Sequence, residues 1–405
     1  MTAGTPDRQV EQSDTSGGPI LSPRRVGDVN RSRILQTLVD HGPLSRAELS
    51  RFANVTRATI GNIIQSLLEA GILEEQSLRP GQIGKPPRPL WFARHGALSA
   101  VVALEEHDCT AALVDATGLV LVARTVTYPA GRPTAAELRT CVRRALAAVC
   151  SGHRDKALLG VGVAVPAMCL ATGEIVASSV LPALEGRWLH DFLSKTYDVP
   201  VVIDTDSRAQ ALAEKWFGQG RGVRVFAAVR ISEGIGAGVV LNGTVFRADQ
   251  GIGSEFGHTV VDRRGGLPCP CGRFGCWQTV AGTGWIQREA RRRGVKGAAK
   301  LDCAALVSRA TDDPVVAELL ADYADNIAVG LANLMHVYHP LLFILNGSVL
   351  GGGEPLRAAV EKALGKRVVS LVRRDVRVVF SELDGQASLQ GAAALVLSAR
   401  FQLAG

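Results

Sequence analysis

The chain of 405 residues is longer than one ordinary core requires, and two or three domains are expected. An apolar content of 47% is ample for packing, 44 glycines with few aromatics point to an α/β protein rich in tight turns, and a formal charge of +7 permits an anionic partner without locating it. No segment is long and apolar enough to span a bilayer and the opening MTAGTPDRQVEQSDTSGGP has no apolar leader, which excludes a membrane partner on this reading and gives the expectation of a soluble, cytoplasmic chain.

Residues 1–24, rich in Gly, Ser, Thr and Asp, are expected to form a disordered tail. A first unit is expected over 25–95. Ile34, Leu35 and Leu38 stand at helical spacing over 31–41, and Gly42-Pro43 stops that helix. Ser45-Arg46-Ala47-Glu48 is a capping box opening a short second helix, and Thr56 caps a third that runs to about residue 70. On the third helix Ile60, Ile63, Ile64, Leu67 and Leu68 form the apolar stripe, which turns Arg57, Ala58, Gly61, Asn62 and Gln65 outward. Small and polar residues at the exposed start of a helix allow close approach to base-pair edges, so the three helices read as a helix-turn-helix. Residues 72–75 and 90–92 form the strands of a wing around a Gly- and Pro-rich turn. The candidate DNA-binding residues are Arg46, Thr56, Arg57, Thr59 and Asn62 on the helices, with Arg79, Lys85 and Arg88 on the wing as phosphate contacts. The alternative is a small helical domain used for packing or dimer contact, its basic residues merely solvated.

From residue 98 the pattern changes. Apolar or alternating runs over 99–104, 109–115 and 119–128 give a three-strand antiparallel meander, followed by an amphipathic helix over 135–150 and a fully apolar strand over 158–165. A helix over 188–196, a strand over 199–203 and a helix over 208–217 complete a first lobe. The order then repeats: strands over 225–231, 236–241 and 244–247, helices over 281–293, 304–310 and 313–339, a strand over 341–345, a helix over 355–364, a strand over 376–381 and a last helix over 388–401. This duplication is that of a two-lobed actin-like ATPase (ribonuclease H-like) fold with a ligand cleft between lobes. Lobe 1 is assigned to 96–220 together with the C-terminal helix 385–401, and lobe 2 to 221–384.

The stretch 253–278, GSEFGHTVVDRRGGLPCPCGRFGCWQ, places His258, Cys269, Cys271 and Cys276 within nineteen residues. One imidazole and three thiols can close a tetrahedral shell around a soft divalent ion, for which zinc is the default, and no position is left for a catalytic water. The site therefore reads as structural. The alternative is a chance cluster or buried apolar thiols. Cys109, Cys141, Cys150, Cys169 and Cys303 are dispersed among apolar runs and are expected to be free thiols in a reducing compartment.

Two features resemble a known family. Asn30-Arg31, Ser45-Arg46-Ala47-Glu48-Leu49 and the exit from Leu67 to Gly71-Ile72-Leu73 are similar to the winged helix-turn-helix of ROK-family bacterial repressors. Glu255-Phe256-Gly257-His258 with the Cys-x-Cys-Gly-x-x-Gly-Cys of Cys269 to Cys276 resembles the signature shared by ROK sugar kinases and sugar-responsive repressors. The resemblance covers about residues 25 to 400. It implies zinc on the three cysteines and His258, and sugar contact by Glu255 and His258. It further implies sugar contact by Asp206, which matches the catalytic Asp of an Asn-Asp-x-Asn run, and by Gln278, which stands where the kinases carry Glu. It also implies dimerisation and a pseudo-palindromic double-stranded DNA operator. The apolar positions over 321–339 are candidate dimer contacts or lobe core.

Departures from the kinase pattern decide the activity expected. The Asp-x-Gly-Gly-Thr that opens the kinase lobe is Ala103-Leu104-Glu105-Glu106-His107 here, and the Gly-Thr-Gly of the second lobe is Ser232-Glu233-Gly234. Carboxylates thus stand where phosphate should lie, and the glycines that allow backbone to approach it are gone. Asp206 survives as a vestigial base, flanked by Thr205 and Arg208 where the kinases have asparagines, and Ala167 follows a proline where many relatives have Gly. No ATP binding and no enzymatic activity are expected. The reading is a DNA-binding transcriptional regulator, with repression relieved by ligand the commoner family behaviour and the sign of control open. An ATP-dependent sugar kinase and a scaffold that has lost ligand binding are the alternatives.

Overall fold

The structure, a computed structural model, describes residues 23–76, 88–129, 131–153, 158–369, 375–383 and 385–403. The expected tail lies, up to residue 22, outside them. Helix α1 spans Pro23–His41 and begins eight residues earlier than the apolar periodicity indicates. Its first turns carry no buried stripe, since Val26 and Val29 are exposed. Further along the helix, the Ser32 hydroxyl donates to the carbonyl of Phe401 at 2.6 Å.

Helix α2 (Arg46–Phe52) starts at the capping box, with the Ser45 hydroxyl accepting from the Glu48 amide and the Glu48 carboxylate accepting from the Ser45 amide. Helix α3 (Arg57–Glu69) is capped by Thr56 and buries Ile60, Ile64 and Leu67. The wing is a two-stranded antiparallel hairpin of β1 (Leu73–Glu75) and β2 (Leu90–Phe92), with Leu73 opposite Phe92.

The first lobe follows. Strands β3 (Leu98–Leu104), β4 (Asp108–Asp115) and β5 (Val120–Thr127) form the meander, and helix α4 (Ala135–Cys150) crosses to β6 (Leu158–Val165). A small hairpin of β7 (Met168–Cys169) and β8 (Ile175–Ala177) precedes α5 (Trp188–Thr196), β9 (Val201–Thr205) and α6 (Asp206–Phe217). The sheet order is β5-β4-β3-β6-β9, antiparallel on the meander side and parallel from β3 to β9. Helix α4 closes one face, where Leu138, Val142 and Leu146 share a core with Ala100, Val102, Val161 and Val163.

The second lobe repeats this order. Strands β10 (Phe226–Ile231), β11 (Ile235–Leu241) and the short β12 (Thr244–Val245) form its meander. Helices α7 (Trp277–Ala281), α8 (Thr283–Arg292), α9 (Cys303–Ala310) and α10 (Pro314–Tyr338) then lead to β13 (Leu342–Asn346), α11 (Gly353–Arg367) and β14 (Arg377–Phe380). The sheet order is β12-β11-β10-β13-β14. The single helix expected over 281–293 begins at Trp277 and breaks at Gly282, whose backbone is extended (φ −70°, ψ 153°). Ile327, Leu331 and Met335 of α10 are buried with Val229, Phe343 and Leu345, so these positions belong to the lobe core.

Helix α12 (Ala387–Phe401) returns to the first sheet and packs on α6, β3 and β6. The fit leaves no room for side chains at two points: a Cβ on Gly162 would lie 2.1 Å from the Ala392 carbonyl oxygen, and one on Gly391 would lie 2.0 Å from that of Ala209. Helix α6 in turn contacts β10 and β11, which places it between the two sheets. The apolar core is continuous from Ile34, Leu38, Ile64 and Phe92 of the head to Trp216, Phe226, Leu395 and Phe401. Among the described residues no helix is long and apolar enough to cross a membrane.

Candidate functional site

The metal-ligand stretch is folded by its own backbone. His258 ends a short 3-10 turn (Phe256–His258), and Cys276 caps α7. Between them the amides of Val261 and Asp262 both donate to the Gly275 carbonyl, at 2.8 and 3.2 Å, while the Cys269 amide donates to the Arg273 carbonyl at 2.8 Å. These turns bring the donor atoms of His258, Cys269, Cys271 and Cys276 within 4.8 Å of one another, a group able to hold a metal ion. His258 Nδ1 lies 3.4 Å from Cys269 Sγ and Cys271 Sγ lies 3.7 Å from Cys276 Sγ. The second separation is far beyond a disulfide bond of about 2.0 Å. Burial pushes the Cys269 and Cys276 thiols up and the His258 imidazole down. A metal bound here must therefore displace thiol protons.

His258 joins this cluster to the cleft, because its Nε2 lies 3.9 Å from Glu255 Oε2. Burial pushes the Glu255 carboxyl up, and the negative charge of Asp206 adds to the effect. Asp206 is the first residue of α6, where Oδ1 accepts from the Ser207 amide at 2.7 Å and its hydroxyl at 3.1 Å. The N-cap of α6 is Thr205, whose hydroxyl accepts from the Arg208 amide. Asp206 Oδ2 is left facing Arg230 Nη1 at 3.4 Å.

Arg230 is a residue that sequence reasoning missed, and its second partner is Glu105, one of the carboxylates in the altered kinase motif. Nη2 of Arg230, from β10, donates to Glu105 Oε2 at 2.8 Å, so a lobe 2 cation is held by two lobe 1 carboxylates. Burial pushes the Glu105 carboxyl up and Arg230 draws it back down. The available signal was a lone cation inside the apolar strand Phe-Ala-Ala-Val-Arg-Ile.

Arg208, a departure from the kinase pattern, is turned inward with a side chain 2% exposed. It donates from Nε to Asp204 Oδ1 at 2.7 Å, from Nη1 to the Gly251 carbonyl at 2.8 Å and from Nη2 to the Cys169 carbonyl at 3.3 Å. Arg247 Nη2 pairs with Asp204 Oδ2 at 2.7 Å. These contacts bind the lobes beneath the cleft. Gln278 lies at the cleft floor with its amide spent on the metal cluster, Nε2 donating to Cys269 Sγ at 3.2 Å. The loops matching the phosphate cradle close on one another: the Ser348 amide donates to Ser232 Oγ at 3.2 Å, and Thr283 donates to Glu233 at 3.3 Å.

On the head, Arg57, Ala58, Gly61, Asn62 and Gln65 are exposed along α3. Thr56 and Thr59 are engaged with each other, hydroxyl to hydroxyl at 2.9 Å, as part of the cap. Arg46 and Arg88 converge on Glu75 of β1, at 2.5 and 3.6 Å, which ties α2 to the wing. Arg46 holds the Glu75 carboxyl below its ordinary value. Arg79 and Lys85 lie outside the described residues.

A repeated two-sheet domain with this cysteine–histidine loop, joined to a winged head, has counterparts among known proteins. The ROK family matches residues 102–399, and the winged helix-turn-helix DNA-binding family matches residues 28–74. The chain belongs to the ROK family. Among ROK relatives it is 24% identical to the DNA-binding transcriptional dual regulator NagC of Escherichia coli strain K12, covering 92% of this chain and 93% of that protein. It is 22% identical to the xylose repressor of Caldicellulosiruptor bescii, covering 91% of this chain and 96% of that protein. A crystal structure of a ROK family transcriptional regulator, a homolog of the E. coli MLC protein, superposes with a TM-score of 0.77 at 23% identity, over 93% of this chain and 97% of that one. The ROK family glucokinase of Streptomyces griseus, in complex with glucose and AMPPNP, superposes with a TM-score of 0.65 at 25% identity. It covers 99% of the kinase but 74% of this chain.

Proposed function

We propose that this chain is a transcriptional repressor of sugar-metabolism genes, with no kinase activity, in which a sugar or sugar derivative binds between the lobes and alters how two winged heads meet a pseudo-palindromic operator. The observation that carries the reading is the pairing of an exposed α3 face with a sugar-kinase fold whose phosphate-binding positions hold Glu105 and Glu233. Relatives that match along both head and lobes are named as regulators or repressors, which supports the same assignment. Residues 25–95 are taken as the DNA-binding unit, 96–220 with 385–401 as lobe 1, and 221–384 as lobe 2.

In this reading sugar hydroxyls meet Asp206, Glu255 and His258, with Gln278 contributing its carbonyl oxygen. Arg57 and Asn62 reach base edges, and Arg46, Thr56, Thr59 and Arg88, with Arg79 and Lys85 of the wing, position the duplex. Effector control requires different affinities for two lobe arrangements, which the homodimer converts into a change in half-site spacing.

His258, Cys269, Cys271 and Cys276 fit zinc. A tetrahedron with Zn–S near 2.3 Å and Zn–N near 2.0–2.1 Å has edges of about 3.8 Å between sulfurs and about 3.5 Å between sulfur and nitrogen. The separations of 3.7 Å and 3.4 Å match those edges. The ion would supply a fixed charge and geometry that hold the cleft floor. His258 would keep Nε2 directed at Glu255, and Gln278 would hold the Cys269 sulfur in place.

The test is retardation of DNA from upstream of the chain's own gene, with and without a sugar panel. Binding should weaken in Arg57→Ala and Asn62→Ala, and a sugar should release it. ATP-dependent phosphorylation of any sugar in the panel, abolished by Asp206→Asn, would instead establish a kinase.

A further inference from the structure

A sugar sensor must distinguish a free sugar from its phosphorylated form, and charge is the physical basis available for the choice. A phosphoryl group brings between −1.5 and −2 charges at neutral pH and needs unbalanced cations or converging amides. Among the described residues, the arginines around Asp206 are already paired with carboxylates. Glu105 follows β3 and Asp206 opens α6, and both carboxylates lie on Arg230, at 2.8 and 3.4 Å. The Arg230 guanidinium is thus balanced twice over. Glu255 adds a third carboxylate, near enough to sense the charge of Asp206. Arg208 and Arg247 flank the cleft floor and both pair with Asp204.

Carboxylates arranged in this way accept hydrogen bonds from hydroxyls and repel phosphate. A hydroxyl donating to Asp206 Oδ2 takes the place Arg230 occupies at 3.4 Å and leaves the guanidinium with Glu105 at 2.8 Å. A phosphorylated sugar would instead have to displace Glu105 from the same guanidinium while facing two further negative charges. We propose that the effector of this protein is an unphosphorylated sugar, and that Glu105, held on Arg230, excludes the phosphorylated form. This rests on the reading of the interlobe cleft as a sugar site.

The experiment is isothermal titration of the full-length protein with glucose, mannose and N-acetylglucosamine and with the 6-phosphate of each, together with xylose. At least one free sugar should bind ten or more times as tightly as its 6-phosphate. Glu105→Gln should narrow that ratio at least fivefold, and Asp206→Asn should lower both affinities together, which marks the cleft as the site. Retained operator binding by each variant establishes that it is folded. A 6-phosphate that binds as tightly as its parent sugar, or a ratio unchanged in Glu105→Gln, overturns the proposal while the cleft remains a sugar site. Failure of every sugar and sugar phosphate to bind, or binding insensitive to Asp206→Asn, overturns the cleft assignment and the proposal with it.

Discussion

The Trp216 ring lies 5.6 Å from the Phe92 ring, so the C-terminal end of α6 is packed against the second strand of the wing. The same helix opens with Asp206 in the cleft. Twelve residues of α-helix span about 18 Å, and one element therefore reaches from Asp206, placed in the proposed sugar site, to the head. Trp91 reinforces the contact, with the Arg221 guanidinium 5.2 Å from its ring. Replacing Trp216 with Ala should cost about 3–5 kcal/mol of stability through the cavity it leaves. It should also reduce effector-induced release of DNA more than DNA binding itself. Chemical denaturation gives the first quantity, and fluorescence anisotropy on operator DNA with and without sugar gives the second.

Arg208 is a buried cation whose partners come from both lobes. Arg208→Met would leave the carbonyls of Gly251 and Cys169 without their donor and Asp204 with one cation fewer. Breaking a buried ion pair from one side costs about 3–5 kcal/mol. A loss below about 1 kcal/mol in urea denaturation would show that Arg247 alone suffices to hold Asp204.

Glu75 restrains Arg46 and Arg88, two of the cations proposed to meet phosphate. In Glu75→Gln the charges of Arg46 and Arg88 are released toward phosphate, so DNA affinity at low salt should rise several-fold with little sequence preference. The salt dependence should steepen, as each added phosphate contact contributes a slope near −0.9. An unchanged slope would assign Arg46 and Arg88 to wing architecture alone.

The cysteine–histidine clasp should govern the effector response before it governs the head. Elemental analysis should find one zinc per chain. Chelation, or Cys271→Ser, should abolish sugar-dependent release of DNA while operator affinity in the absence of sugar falls less than threefold. Loss of operator binding with the sugar response intact would place the clasp in assembly.

Stability should carry a signature of Glu214. This side chain is fully buried in α6, where it accepts from the Ser381 hydroxyl and from the Gln219 amide at 3.0 Å. Burial pushes its carboxyl above the ordinary 4.5, so the folded protein holds this proton more tightly than the unfolded chain. Between 4.5 and the raised value the folded state binds more protons, and its stability falls as pH rises through that window. Glu214→Gln, which can accept from Gln219 and donate to Ser381, should flatten this slope in a melting series across pH.

What the sequence disclosed and what it hid follow from the range of the interactions involved. The starts of α2 and α3 were legible because Ser45, Glu48 and Thr56 cap within three residues of themselves. The cysteine–histidine cluster was legible because all four candidate donors lie in one stretch of nineteen residues. Arg230 was not, since its partners stand 24 and 125 residues away along the chain. Arg208 was noticed as a changed cleft residue, but its inward turn depends on carbonyls 39 and 43 residues distant. Gln278 was read as facing the sugar, and its amide nitrogen points instead at the Cys269 sulfur. The early turns of α1 were not legible because Val26 and Val29 are exposed and leave no apolar period to read.

The contact between Ser32 and Phe401 joins positions 369 residues apart. The head has its capped helices and wing from local sequence, while the surface that seats α1 is completed by α12, far along the chain. A chain cut before α12 would therefore lose one of the surfaces that fasten the head to the lobes and keep the contacts of Trp216 and Arg221 with the wing. Truncation ahead of α12 would loosen the head on the lobes, so the orientation of the head depends on residues at the far end of the described chain.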